Sequence, residues 1–249
     1  MIDAIVVGVD CATDLKNVGI AYGRLQKGRL LVEVELEISA NRIAERIAAA
    51  RRRGQQILLA IDAPLGWPST LGEALQPHKA GQAINVDSNL LFRRETDRWV
   101  KKHVGKQPLD VGADRIARTA HAALRLLEDL RQLTGLEIPL VWSGEFADEA
   151  ACIEVYPAAT LRACGFQNSG YKGNDPGHRE RRIQVANDIG RMIDLTPESL
   201  HAAASSDDAL DATICVLAGF DFLTGYATPP ENVVAAKKEG WIWVRLKAK

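Results

Sequence analysis

Two apolar runs that each close on an aspartate constrain this chain more than any other feature. They are AIVVGVD over Ala4–Asp10 and ILLAID over residues 57–62. Both are short and rich in aliphatic residues, so they read as strands. A strand that is apolar on both faces belongs inside a sheet, beside a parallel neighbour. The residues between them favour a meander. Residues 17–23 (NVGIAYG) form a second strand, residues 26–29 a basic turn with a glycine, and residues 30–38 (LLVEVELEI) alternate apolar with acidic. That alternation marks a strand with one wet face, and loops this short imply antiparallel pairing. Ser39 then caps a helix over 40–53, which Gly54 ends. The order is β-β-β-α-β.

The remaining chain is less regular. Residues 69–150 read as a mainly helical, polar insertion, with helical periodicity over 87–104 and 114–133 and a short strand over 138–142. Residues 152–156 (CIEVY) form the fifth strand, and Pro157 suits the first turn of a helix. A Gly/Asn-rich loop over 168–177 carries Tyr171 and Lys172. A basic helix follows over 178–193, then a strongly apolar one over 206–222 that opens on acids, and a strand-like tail, GWIWVRL, over 240–246. One domain over 1–249 with the insertion at 69–150 accounts for all of this.

Composition excludes several classes. Thirty-one Lys+Arg face 32 Asp+Glu, for a net charge of −1, and 47% of the 249 residues are apolar. Disordered chains lack that apolar content. No apolar stretch approaches the ~20 residues of a membrane span. The N-terminus lacks the basic segment of a secretory signal. Cys11, Cys152, Cys164 and Cys215 form no C-x-x-C pattern, and the five histidines are scattered. Reduced thiols in a cytoplasmic protein are expected, and any metal would be a hard cation on carboxylates rather than zinc.

The acids fall at telling places. Asp10 and Asp62 close their strands, and parallel neighbours would bring them out side by side, where ligands of such sheets bind. Glu154 lies within the fifth strand. Asp208 and Asp211 lie three apart, on one face of the late helix. A strand-end Asp is most often a turn residue, and acids at a helix start satisfy the macrodipole. Asp211 is different, because it sits among Leu210, Ala212 and Ile214, where a carboxylate needs a partner. Converging carboxylates repel unless a cation neutralises them, and one or two Mg²⁺ or Mn²⁺ ions would do so and could drive phosphodiester cleavage.

In sequence order, VGVD (7–10), AIDAPLG (60–66), FRRETD (92–97), EVYPAATLR (154–162), YK (171–172), DDALDA (207–212) and EGWIWV (239–244) resemble the family of predicted nucleases catalogued as domain of unknown function 429. The resemblance covers most of the chain. It implies an α/β, ribonuclease H-like fold: a five-stranded mixed sheet with its first three strands antiparallel, flanked by helices, with a helical insertion before the fifth strand. It places Asp10 at the first-strand acid of ribonuclease H-like enzymes. Asp62 falls at the fourth-strand acid, and Asp208 or Asp211 at the late-helix acid. It also draws attention to Arg93 and Arg94, which could hold a phosphate or pair with Asp97. Tyr171, Lys172 and Arg179 are further candidates for contact with substrate.

The expected function is a divalent-metal-dependent nuclease or phosphodiesterase acting on nucleic acid or a nucleotide-like substrate. Asp10, Asp62, Glu154, Asp208 and Asp211 supply its candidate ligands. Three alternatives compete. A non-catalytic binding module with a vestigial acidic site would have the same sequence features. An ATP-binding phosphotransferase of related fold would need the glycine-rich phosphate loop that is missing after Asp10. The D-D-x-x-D pattern at 207–211 is found in isoprenoid enzymes, but those are all-helical, and the strands argue against it.

Overall fold

The computed structural model describes residues 3–35, 39–112 and 114–246. The strands are β1 (Ala4–Asp10), β2 (Gly19–Gln26), β3 (Arg29–Glu35), β4 (Gln56–Asp62), β5 (Ala150–Glu154) and β6 (Asp194–Leu195). The helices are α1 (Ala40–Arg52), α2 (Ser69–Leu75), α3 (Ser88–Phe92), α4 (Glu95–His103), α5 (Asp114–Thr134), α6 (Pro157–Cys164), α7 (Pro176–Ile189), α8 (Pro197–Ser205), α9 (Asp207–Leu223) and α10 (Val233–Glu239). None is long and apolar enough to cross a membrane, among the described residues.

The strands form one mixed sheet in the order β5-β4-β1-β2-β3-β6. The first three are antiparallel, and β4 and β5 run parallel to β1. The sheet therefore has six strands where five were expected. The sixth, β6, is two residues long and extends the β3 edge, pairing Leu31 with Asp194 and Val32 with Leu195. Periodicity cannot reveal a strand this short. Arg29 clips it in place with two 3.0 Å bonds to Asp194.

Both faces of the sheet are covered, which explains the uninterrupted apolar runs. On one face α9, with α6, α7, α8 and the tail residues Trp241–Val244, packs on Val6, Ala21, Leu58, Ala60 and Ile153. On the other, α1 and α5 bury Ile43, Ile47, Ala123 and Leu127 against Val7, Val9, Ile57, Leu59 and Ile61. Ser39 does cap α1, accepting from the Arg42 N–H at 3.1 Å. The described third strand is Arg29–Glu35, and residues 36–38 of the expected strand lie outside the described residues.

Two other boundaries differ from the sequence reading. The expected helix over 87–104 is two helices broken at Arg93 and Arg94. Arg94 takes an extended backbone, and the Asp97 carboxylate accepts its N–H at 2.9 Å. Residues 138–142 and the tail make isolated bridges, Leu140 with Cys152 and Ile242 with Glu154, rather than full strands.

The seating of α9 decides where its acids lie. A Cβ on Gly8 would drive into the carbonyl oxygen of Ala212, and one on Gly19 into that of Asp208. These two glycines let the helix backbone rest directly on β1 and β2. Gly19→Ala is expected to cost ~1–3 kcal/mol by overpacking, a fall of several degrees in melting temperature. An unchanged melting curve would mean that α9 is not seated so closely.

Candidate metal centre

In the parallel β1–β4 pair, Asp10 stands directly beside Asp62. The close seating of α9 brings Asp211 over them. One carboxylate oxygen from each of the three lies within 4.8 Å of the others. Asp211 is fully buried and Asp10 nearly so. Tyr171, itself buried, donates its hydroxyl to Asp211 Oδ1 at 2.8 Å. Lys172 Nζ forms an ion pair with Asp211 Oδ2. Both residues come from an irregular loop that α7 holds down. Arg182 is 5% exposed and donates to the carbonyl oxygens of Tyr171 at 2.8 Å and Gly173 at 2.7 Å.

Burial pushes the Asp10 carboxyl well above its ordinary range, and the neighbouring Asp211 and Asp62 push it further. For Asp62, burial and then Asp211 outweigh the pull of Lys172 and raise its pKa to about 8. Asp211 is also raised by burial, against the opposing effects of Lys172 and the Tyr171 hydroxyl. Burial works against the Lys172 charge, but Asp211, Asp10 and Asp62 together hold its pKa above the usual value. One ammonium cannot balance three carboxylates.

A carboxyl raised in the folded state stabilises the fold at low pH and loses that contribution as pH rises through the folded value. Without divalent metal, the Asp62 contribution is therefore lost between its unfolded pKa near 4 and about 8. The melting temperature in chelator should fall over that interval. Asp62→Asn should flatten the fall and raise the melting temperature at pH 8 by roughly 4–8 °C, for ~2 kcal/mol of relieved repulsion. A pH profile identical to wild type would contradict this account.

The donor set suits a hard divalent cation. Three carboxylates offer oxygens only, and they carry an excess negative charge that such an ion would neutralise. Beside Asp10 and Asp62 opens a cleft of about 250 Å³. Its polar wall holds Lys172 and Tyr156, and its apolar wall holds Leu109, Ile116 and Ile242. Burial, with Asp62 adding to it, pushes the Tyr156 hydroxyl up to about 12, so at neutral pH it keeps its proton. The segment between β4 and β5 supplies Pro108, Leu109, Ile116 and Thr119 to this cleft, and thus forms one side of it.

The other expected residues lie outside the carboxylate group, although Glu154 and Arg94 line the cleft. Glu154 borders the cleft but is not in the carboxylate group. Its oxygens accept from Arg94 at 2.7 and 2.8 Å, and Oε2 also accepts from the Leu65 N–H at 2.9 Å. Of the candidate ligands, Glu154 is thus the one whose oxygens are taken up by a buried guanidinium and a backbone N–H. Asp208 stays half-buried in the first turn of α9, outside the three-carboxylate group, while its own carbonyl meets Gly19. Arg94 is buried, and its five N–H donors go to Asp97, Glu154 and the Glu239 carbonyl. No donor is left for a substrate. Arg93 reaches out to Asp110 at 2.8 Å. Arg179 is exposed on α7 and does not line the cleft. Tyr156 and Thr119 escaped the sequence reading. Tyr156 could have been found from its place two residues after the acid of the fifth strand. Thr119 had no comparable signal.

Residues 8–235 match the family model described as "Protein of unknown function (DUF429)". No curated protein and no solved structure matches the chain.

Proposed function

Because this chain belongs to the DUF429 family of proteins of unknown function, its chemistry has to be read from its own site, and we propose that it is a divalent-metal-dependent phosphodiesterase of ribonuclease H-like fold acting on nucleic acid. The observation that carries this reading is the meeting of Asp10, Asp62 and Asp211, from two parallel strands and a late helix, at the open end of the sheet. The antiparallel β1-β2-β3 meander followed by the parallel β4 and β5 supports the fold assignment.

Asp10, Asp62 and Asp211 would hold Mg²⁺ or Mn²⁺. Bound there, such an ion activates water and offsets the charge that develops on the phosphoryl oxygens. The chain's own groups do the rest. Tyr171 fixes the rotamer of Asp211 through its hydroxyl, as outer-shell partners of metal ligands do. Lys172 places an ammonium beside the carboxylates, in position to take a non-bridging phosphate oxygen. Tyr156 keeps its proton and can donate to another. Leu109 and Ile116 would offer an apolar wall to the sugar or base.

Titration of the purified protein with Mn²⁺ by calorimetry, beside a cleavage panel of DNA, RNA, branched junctions and nucleotides, tests the reading. Metal binding together with cleavage that chelator abolishes is the expected result. No heat up to millimolar Mn²⁺ and an intact panel would instead identify a binding module with a vestigial acidic site.

A further inference from the structure

A second, wider groove of about 610 Å³ lies on the outer side of α5, lined by Thr13, Gly112, Asp114, Arg118 and His121, among others. It and the cleft are both lined by α5. Thr13 is three residues beyond Asp10, and α5 turns Ile116 and Thr119 into the cleft while turning Arg118 and His121 into the groove. Resting on the reading above, we propose that this groove, with the exposed basic face of α5 beside it, holds the sugar-phosphate backbone of a polynucleotide as it leaves the cleft, so that the substrate is a nucleic-acid strand and not a mononucleotide.

The exposed bases of α5 support this. Arg115, Arg118, His121 and Arg125 are all exposed on the N-terminal two-thirds of α5. Among the described residues, the ion pair within α5 is Arg131 with Glu128, near its far end. Arg115, Arg118 and Arg125 have no such partner, although Asp114 lies one turn before Arg118. Arg118 and Arg125, seven positions apart, lie on one face of α5 about 10 Å apart along its axis, a span that phosphates of one strand can bridge. Arginine also pairs with phosphate oxygens through two N–H groups at once.

The charge of the whole chain, −1, gives no general attraction for nucleic acid, so binding has to come from local clusters of bases such as this stripe. The test is fluorescence anisotropy of a labelled single-stranded 12-mer in chelator, across a salt series. Wild type is compared with Arg118→Gln/Arg125→Gln and with Arg52→Gln/Arg53→Gln. The second pair removes the same charge at the C-terminal end of α1, which leads into the opposite end of β4 from the acids. The groove variant should bind at least tenfold more weakly, and its log–log salt slope should be shallower by about 1.4, for two lost phosphate contacts on a single strand. The α1 variant should stay within twofold of wild type. Equal affinities and slopes for the groove variant and wild type would overturn the proposal, and so would equal losses in the two variants. Hydrolysis of bis(p-nitrophenyl) phosphate by wild type with Mn²⁺ reports on the cleft alone. Its failure would count against the metal-site reading, and the anisotropy result would still decide the groove.

Discussion

Arg94→Ala is expected to lower the melting temperature by about 10 °C or more, or to leave no folded protein. Arg94 is 1% exposed and lies between Asp97 and Glu154, which are equally buried. Its removal strands two carboxylates in the interior, and breaking a buried pair from one side costs ~3–5 kcal/mol. The same guanidinium ties three parts of the chain together: the start of α4, the end of β5 and, through the Glu239 carbonyl, the end of α10. Glu239 in turn accepts from the N–H groups of Ser69 and Glu95 at 2.9 and 2.8 Å, which fastens the insertion at both points. Arg94→Lys should rescue little, since one ammonium cannot serve acceptors arranged for five N–H groups. Arg94→Met with Asp97→Leu and Glu154→Leu should recover part of the loss, because no charge is then left unpaired. A melting temperature for Arg94→Ala within 2 °C of wild type would show that the network carries no such energy.

Asp211→Asn and Asp10→Asn should each reduce metal-dependent cleavage by ~10³-fold or more, which is ~4 kcal/mol in the barrier. Both should also melt higher than wild type in chelator, because each relieves repulsion among buried carboxylates. The combination of lost activity with gained stability separates a metal ligand from a fold-supporting acid, whose loss would lower both. Tyr171→Phe should fall between, at ~10–100-fold in metal affinity or rate, since it acts through Asp211. Full activity in Asp211→Asn would remove that residue from the centre. Asp208→Asn serves as the comparison one turn away, and its effect should be small.

How much of this was legible in the sequence varies with the range of the interaction. The β1 and β4 runs, their parallel pairing and the emergence of Asp10 beside Asp62 follow from apolar content and length. The Ser39 cap and the Pro157 helix start are local signals and were equally readable. Asp211 stood out as a carboxylate among aliphatic residues. The six-stranded sheet was not readable, since β6 has two residues and depends on the β3 edge and Arg29. Nor was the break at Arg93 and Arg94: a pair with Asp97 was one reading of the sequence, but the bond to Glu154, 60 positions away, carries no local mark.

Glu154 shows the division most clearly. In sequence it is one more acid at a strand, indistinguishable in kind from Asp10 and Asp62. Its role is set by what stands opposite. Glu154 faces a buried guanidinium, whereas Asp10 and Asp62 face another carboxylate and an exposed lysine. The sequence by itself determined the layered α/β scheme, because apolar periodicity and caps are properties of neighbouring residues. Tertiary structure alone decided which acids converge, because a carboxylate's function depends on charges brought to it from elsewhere in the chain. Gly8 and Gly19 permit that convergence by letting α9 settle onto the sheet.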